Sequence, residues 1–269
     1  MTTMQVGDIE VLVVNDGTFT APDEFLGPQA TPEALAAHEG LLDPDGRLRM
    51  PMGCFVVRTG DTTVLMDTGV GAVQNEFFDG GHLQEGLAGL GVKASDIDIV
   101  VCSHLHLDHC GGIIGPGGVP AFPNAIHHVS SADWSTFVDL EEDFMRRHVR
   151  EGLRGLAEAG RVELFEGDVG LVPGVSVLAA PGHTAGHSCL VVSSGEARAL
   201  FLGDAISCPA QLDETEWGAM SDVDPALARR TRERLWAEME DDGTVGAGAH
   251  FPGLAFGRVL TGTGRRWWA

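Results

Sequence analysis

The sequence predicts an α/β protein in which helices pack outside layered β-sheets. The chain has 269 residues and 43% hydrophobic content, enough for a sizeable buried core and ordinary for a globular protein. Short apolar runs rich in Val and Ile recur, each ended by Gly, Pro or a polar cluster, which is typical of buried strands. Because no Pro/Gly/Ser-rich linker divides the chain and no short repeat is visible, we expect one domain over residues 1–269.

The apolar runs and the helix-start signals place the elements. Eight runs are predicted to be strands: Val11–Val14, Phe55–Val57, Val64–Met66, Ile97–Cys102, Val175–Ala180, Leu190–Val192, Ala199–Leu202 and Val245–Ala247. Thr31 before Pro32 supplies an N-cap and a first-turn proline, which predicts a helix through His38. Asp224 before Pro225 repeats this pattern and predicts a longer helix.

The charge balance limits the partners. The chain has 39 Asp and Glu against 17 Lys and Arg, a formal net charge of -22. Such a field repels polyphosphates and anionic membrane surfaces, so we expect no nucleic-acid and no membrane partner, whereas a homodimer is compatible with the sequence. The densest basic run is predicted to be a solvated helix face: Arg229, Arg230, Arg232 and Arg234.

The N-terminus and the cysteines predict a cytoplasmic protein. The first residues have no basic opening and no apolar signal core, and no stretch approaches the length of a membrane span. Five cysteines without a CxxC pair do not form a disulfide framework, which favours a reducing compartment.

The segment Ser103–Gly112 has the densest group of chemically active side chains. Four that can bind metal follow directly after the predicted strand Ile97–Cys102: His104, His106, Asp108 and His109. Imidazole and carboxylate are usual ligands of zinc and similar metals. Buried without metal, such groups would cost about 1–3 kcal/mol each, so the segment predicts a metal site. Gly111 and Gly112 are expected to let the backbone turn close to the ions.

Isolated histidines have a simpler interpretation than this cluster. A lone histidine is usually a surface residue or a hydrogen-bonded core residue, and five are predicted to be of that kind: His38, His82, His127, His128 and His148.

Ligand-type residues follow other predicted strands in the same way. Each stands just past the end of an apolar run, usually beside a glycine: Asp67, His183, Asp204 and His250. Neighbouring strands that open into one cleft would bring these side chains together. The pattern therefore predicts one shared site at the strand ends.

Together these motifs resemble the metallo-β-lactamase-fold superfamily. The resemblance is carried by HxHxDH at 104–109, GHTxGH at 182–187, GD at 203–204 and AHFP at 249–252. It implies an α/β four-layer αββα sandwich with a metal cleft at one edge of the two sheets. It also implies two metal sites, one held by His104, His106 and His183 and the other by Asp108, His109 and His250. Asp204 would bridge the two metals, and Asp67 would lie behind the site and orient a ligand.

The part between Asp204 and His250 points to one branch of this superfamily. Its helical insert resembles quorum-quenching acyl-homoserine-lactone lactonases and methyl-parathion-type hydrolases. Lactonases of this group use a tyrosine to assist the substrate carbonyl, whereas this chain has no tyrosine. β-Lactamases of this fold generally lack a bridging aspartate and are usually secreted. Asp204 and the absence of a recognisable signal peptide therefore argue against antibiotic hydrolysis as the main activity.

We therefore expect a dinuclear metal-dependent hydrolase of ester-like bonds (lactone, ester or phosphotriester) that uses a hydroxide bridging two divalent ions. Zinc is the expected metal, with manganese, iron and cobalt as alternatives. Asp108 or Asp204 is predicted to carry the proton to the leaving group, and Ser103 and Cys110 are predicted to be loop residues. A mononuclear iron sulfur-oxidising oxygenase of the same fold and a thioester hydrolase remain the alternatives.

Two further predictions concern the surroundings of the site. His187 is predicted to support the site through a hydrogen bond without binding metal. Selection of a neutral small-molecule substrate is predicted to come from Thr20–Pro51 and Ala205–Asp222. Their apolar residues would either form a lid or pack as core: Phe25, Leu26, Leu41, Leu212, Trp217 and Met220.

Overall fold

Two β-sheets form the centre of the protein, of which the computed structural model describes residues 3–38, 40–142, 144–241, 244–262 and 265–269. The larger sheet contains β1 (Thr3–Val6), β2 (Ile9–Thr20), β3 (Arg49–Thr59), β4 (Thr62–Met66), β5 (Phe78–Asp79), β6 (Ile99–Val101), β7 (Ile126–Ser130) and β8 (Val162–Phe165). Its order is β1-β2-β3-β4-β6-β7-β8, with β5 paired to β2. Pairing is antiparallel from β1 to β4 and parallel from β4 to β8.

The smaller sheet is built from the second half of the chain. Its strands are β9 (Val169–Val172), β10 (Val175–Ala179), β11 (Ser188–Ser194), β12 (Ala197–Phe201) and β13 (Val245–Ala247). They are ordered β13-β12-β11-β10-β9, and only β12 and β13 pair in parallel within this sheet. A separate antiparallel pair consists of β14 (Val259–Gly262) and β15 (Arg265–Trp268).

The helices lie between and after the strands. The α-helical segments of the described residues are α1 (Pro32–Ala36), α2 (Leu83–Gly89), α3 (Leu107–Cys110), α4 (Ser131–Asp133), α5 (Arg147–Glu158) and α6 (Pro225–Asp241). A π-helical turn, Trp134–Asp139, continues α4, and short 3₁₀ turns occur at Ala94–Asp96, Gly111–Ile113, Pro116–Gly118, Pro209–Leu212 and Pro252–Leu254. As predicted, Thr31 caps α1, where its Oγ1 accepts a hydrogen bond from the Ala34 N–H.

The sheets face each other across an apolar core. Phe55 and Val57 of β3 pack there against Leu190 and Phe201 of the smaller sheet. Because side chains alternate along a strand, Val56 lies on the opposite face, which α2 covers. The outer face of the smaller sheet is covered by α6. The four-layer αββα arrangement predicted from the sequence is therefore confirmed.

The predicted strands are observed, whereas the helix predicted to run through His38 ends at Ala36 and one basic residue of α6 is buried. All eight predicted strands coincide with observed strands, although the run Ile97–Cys102 contributes only Ile99–Val101 to β6. Arg232 was expected on a solvated face, but only 4% of it is exposed. Its guanidinium lies 3.7 Å from Asp222, whose charge offsets its burial. None of the described helices is long and apolar enough to cross a membrane.

Candidate metal centre

The residues predicted to bind metal lie together at one edge of the two sheets. Their donor atoms form three groups in which all atoms are within 4.8 Å of one another: His104, His106 and His183; His104, His109 and Asp204; Asp108, His109 and His250. The first and third groups are the two predicted ligand triads. Asp204 lies next to both, because its Oδ2 is 3.6 Å from His183 Nε2 and its Oδ1 is 3.2 Å from His250 Nε2.

Buried donor atoms without hydrogen-bond partners mark the centre of this cluster. Among the described residues, no partner is found for the Nε2 atoms of His104, His109 and His250 or for Oδ1 of Asp204. The Nε2 atoms of His109 and His250 both lie 3.2 Å from Asp204 Oδ1 without forming a hydrogen bond. Each unsatisfied buried polar atom costs about 1–3 kcal/mol. Divalent cations bound among these atoms would offset that cost, so the residues fit the metal ions that the sequence implied.

The imidazoles of the cluster differ in protonation: some have a lowered pKa and are neutral at pH 7, and others have a raised pKa and are charged. Burial lowers the pKa of His104 well below its usual value, and the neighbouring imidazoles lower it further. Burial, aided by the imidazole of His183, lowers the pKa of His106 to about 3. Burial also disfavours the charge on His250, but the carboxylates of Asp204 and Asp108 outweigh it and raise that pKa to about 10. At neutral pH His104 and His106 are therefore ready to bind a cation, whereas His250 must first lose a proton.

Asp67 and Ser103 support the loop that carries His104–His109, called the ligand loop below, from the side away from the donor atoms. Asp67 Oδ2 lies 2.8 Å from His109 Nδ1, and its Oδ1 accepts the backbone N–H of Ser103 at 2.7 Å. The Ser103 hydroxyl donates to Asp67 Oδ2 at 2.8 Å. Asp67 has a φ of +60°, a conformation uncommon for residues other than glycine. This is the position predicted for Asp67, while Ser103 has contacts that its interpretation as a plain loop residue did not include.

His187 lies outside the three donor groups. Its Nε2 accepts hydrogen bonds from the backbone N–H groups of Asp204 (2.9 Å) and Ala205 (3.1 Å). Since those bonds occupy the lone pair of Nε2, the neutral ring carries its proton on Nδ1. Burial lowers the pKa of His187 well below the usual value, which keeps it in this neutral form. These contacts fit the predicted support of the Asp204 segment, which stays a prediction.

Two buried carboxylates near the site gave no signal in the sequence. Asp222 Oδ1 lies 2.9 Å from His183 Nδ1, so the imidazole is held from the side opposite the cluster. Asp133 accepts the backbone N–H groups of Leu105 and Gly186 and the hydroxyl of Thr184. It thereby ties the two loops that carry His104–His109 and His183 to each other. No motif surrounds either aspartate, and only the fold brings them to the site.

The paired glycines after the HxHxDH motif have a different role from the expected one. A Cβ at Gly111 would lie 2.3 Å from the carbonyl oxygen of Val70, and one at Gly112 would lie 2.1 Å from that of Thr68. The glycines therefore allow the ligand loop to pack on the backbone of residues 68–70. The close approach that requires glycine at these two positions is to this backbone and not to the ions.

A cavity of about 430 Å³ opens beside the cluster and is bordered by His106, Asp108 and Asp204. Both predicted selection segments contribute to it, through Pro22 and Phe25 and through Met220 and Ser221. The other four apolar residues are core residues instead: Leu26, Leu41 and Trp217 pack in one buried cluster, and Leu212 packs in another. The rest of the wall was not predicted from the sequence. It consists of Phe19, Phe77, Phe78, Phe144, Met145, Leu107 and Arg146.

Comparison with known proteins agrees with this fold. The profile described as the metallo-beta-lactamase superfamily matches residues 54–245, so the chain belongs to that superfamily. The N-acyl homoserine lactonase AiiA of Bacillus thuringiensis subsp. kurstaki is 29% identical over 211 residues, 72% of this chain and 78% of that protein. By its family and these relatives the protein is a metal-dependent hydrolase.

Solved structures share the whole fold. The dizinc quorum-quenching lactonase AidC, in complex with a product, has a TM-score of 0.85 at 22% identity, covering 100% of this chain and 96% of its own. The hydrolase AbOPH of the beta-lactamase superfamily has a TM-score of 0.86 at 24% identity, with 99% and 95% covered. At these identities the likeness concerns the fold, which the predicted αββα sandwich matches.

Proposed function

We propose that this protein hydrolyses an ester-like bond (a lactone, ester or phosphotriester) with two divalent metal ions, for which zinc is the expected metal. His104, His106 and His183 would hold one ion, Asp108, His109 and His250 the other, and Asp204 both. The observation that carries the proposal is the convergence, on both sides of Asp204, of buried nitrogen and oxygen atoms that have no hydrogen-bond partner among the described residues. The lactonase relatives support an ester-like substrate.

When bound, two such ions would supply a hydroxide nucleophile at neutral pH and a Lewis acid for the substrate oxygen. The chain's own residues would then orient the substrate and handle the proton. Asp108 and Asp204 both border the cavity. Although burial favours their neutral forms, the imidazoles of His109 and His250 hold the pKa of Asp108 at about 2 and that of Asp204 well below its usual value. Both carboxylates are therefore ionised and able to accept a proton.

Asp108 is the better candidate to pass the proton to the leaving group. Its side chain is 14% exposed, against 6% for Asp204, so it has more freedom to contact the substrate. Asp204 is in addition surrounded by His109, His183 and His250, which restrict its movement. No side chain of the protein needs to act as a nucleophile. Ser103, which is buried behind the ligands and bonded to Asp67, is in no position to do so.

A mononuclear iron oxygenase of the same fold is the rival function. The third donor group, Asp108, His109 and His250, supports two metals because it provides a second complete set of ligands. Metal analysis of the fully loaded protein separates the two functions: two ions per chain are expected, and a single iron with oxygen consumption would favour the oxygenase.

Hydrolysis itself is tested by a panel of lactones, aryl esters, phosphotriesters and thioesters with the metal-loaded protein. His106→Ala should abolish hydrolysis while the protein stays folded, because one triad loses a ligand. Asp204→Asn should lower the metal content. Asp213→Asn, which changes a surface ion pair with Arg265, is the matched control and should behave like the wild type. Activity of His106→Ala above a few per cent of wild type would contradict the proposal.

We further propose a reducing, cytoplasmic environment. All five cysteines are buried and free, and buried thiols without partners suit a compartment in which disulfides do not form.

A further inference from the structure

Phenylalanine is the most frequent residue type in the lining of the cavity beside the candidate metal centre. The chain has 12 Phe and no Tyr, and five of the Phe residues border this one cavity: Phe19, Phe25, Phe77, Phe78 and Phe144. The aliphatic wall residues are Pro22, Leu107, Met145 and Met220, with no Val or Ile among the described residues of the lining. An alkyl group would be accommodated equally well by aliphatic side chains, of which this chain has many. The concentration of rings therefore requires its own explanation.

Strand pairing builds one side of the aromatic wall. Phe19 of β2 stands opposite Phe78 of β5 in the antiparallel register, and opposite residues of paired strands bring their side chains into contact. Their rings stack with centroids 5.1 Å apart and an interplanar angle of 20°. Phe25 meets Phe19 edge-on at 5.3 Å. These rings are fixed by the sheet and by one another.

Phe144 belongs to a separate segment, just before α5. Its ring lies 5.0 Å from that of His106, a proposed metal ligand. It is 63% exposed and its φ is +72°, which is an uncommon conformation for a bulky residue. Such strain and exposure bring no gain in core packing, and they are typical of residues that act at a binding site.

We propose that this cavity selects an aryl group, so that the substrate carries a phenyl-like ring that packs among Phe19, Phe78 and Phe144 next to the bond to be cleaved. This inference rests on the proposed function and narrows its substrate class. Aromatic rings attract one another in offset-stacked and edge-to-face arrangements beyond the effect of buried area.

The test compares substrates that differ only in the π system. Methyl 3-phenylpropanoate and methyl 3-cyclohexylpropanoate have rings of similar size and the same reacting ester, and the ring is two carbons away from the carbonyl. With the metal-loaded protein, kcat/KM is expected to be about 3- to 10-fold higher for the phenyl ester. Phe78→Leu and Phe144→Leu should reduce this ratio toward one, whereas Met220→Leu, which removes no ring from the wall, should keep it. Because Phe144 is mostly exposed, its variant should fold normally.

A binding measurement separates this inference from the proposed function. Calorimetry with 3-phenylpropanoate and 3-cyclohexylpropanoate, the product carboxylates, reports ring preference without turnover. Equal kcat/KM values for the two esters would overturn the aryl preference and leave ester hydrolysis standing. Tighter binding of the phenyl carboxylate, without hydrolysis of either ester or of any substrate in the panel described above, would support the cavity assignment and contradict the proposed hydrolysis. Equal binding of the two carboxylates, again without hydrolysis of any substrate in the panel, would contradict both.

Discussion

His183 is held at both of its ring nitrogens. Nδ1 is 2.9 Å from Asp222, and Nε2 faces His106 and Asp204. A carboxylate behind a ligand imidazole fixes its tautomer and orientation and increases its basicity. Asp222→Ala is therefore expected to weaken metal binding about 10- to 100-fold, measured by competition with a chromophoric chelator.

Asp222→Asn is the conservative comparison for that variant. It keeps an oxygen that can accept the imidazole N–H and should lose less affinity than the alanine variant. Asp213→Asn, which alters a carboxylate paired with Arg265, should lose no affinity. Unchanged affinity in Asp222→Ala would show that the carboxylate does not position His183.

Metal binding should release protons, and its affinity should rise with pH. Without metal, the pKa of His250 is about 10 and that of His109 is also well above its usual value, because the Asp204 and Asp108 carboxylates outweigh burial. Both imidazoles therefore carry a proton at pH 7 that a metal must displace. His106, with a pKa of about 3, adds no dependence above pH 5.

Calorimetry of metal binding in buffers with different ionisation enthalpies measures this release directly. The apparent affinity is expected to increase from pH 7 towards pH 9, as the competition from protons weakens. A flat affinity over that range, with no protons released, would contradict the assignment of His250 and His109 as ligands.

At the scale of elements, α5 holds one wall of the cavity in place through hydrogen bonds from Arg150. Arg150 is buried, and its guanidinium donates to the carbonyl oxygens of Phe137 (2.7 Å) and Glu142 (2.8 Å) in the segment that leads to Phe144. Arg150→Met would leave these acceptors without a partner. We expect the free energy of unfolding to fall by about 1–3 kcal/mol and KM for apolar esters to rise more than kcat falls.

Chemical denaturation and steady-state kinetics of the variant provide the two measurements. Arg147→Met on the same helix is the control, since exposed Arg147 pairs only with exposed Glu151 among the described residues, and its unfolding free energy should change by less than about 0.5 kcal/mol. If both variants behave alike, Arg150 does not hold the wall.

At the scale of the whole molecule, the proposed metal ligands come from both sheets. His104–His109 follow β6 of the larger sheet, whereas His183, Asp204 and His250 follow strands of the smaller one. Ions that bind only the folded protein stabilise it by about 2.7 kcal/mol per site at a free concentration 100 times the Kd. Removal of the metal by a chelator should therefore lower the Tm, and the addition of zinc should restore it. An unchanged Tm, with metal loss verified by elemental analysis, would contradict this link between the metal and the fold.

From the sequence by itself, the layers and the candidate ligands could be predicted. Apolar runs predict buried strands. Several side chains that can bind metal at short spacing, such as the four between His104 and His109, predict a metal site. Both signals are local, because strand burial and loop coordination depend on neighbouring residues. The residues that follow a strand end, such as Asp204, could be assigned because adjacent strands share an edge.

Only the tertiary structure decided which distant side chains meet. Asp222 with His183, Asp133 with two ligand loops, and Arg232 in the interior are contacts between segments far apart in the chain. The same holds for the phenylalanine rings, since Phe19 and Phe144 come from unrelated segments. It holds also for Trp217, for which the sequence left lid and core open and which is 2% exposed. In the sequence, an apolar residue of the core cannot be distinguished from an apolar residue of a pocket wall, because both occur in the same patterns of apolar spacing. Which of the two it becomes depends on the packing of the whole chain around it.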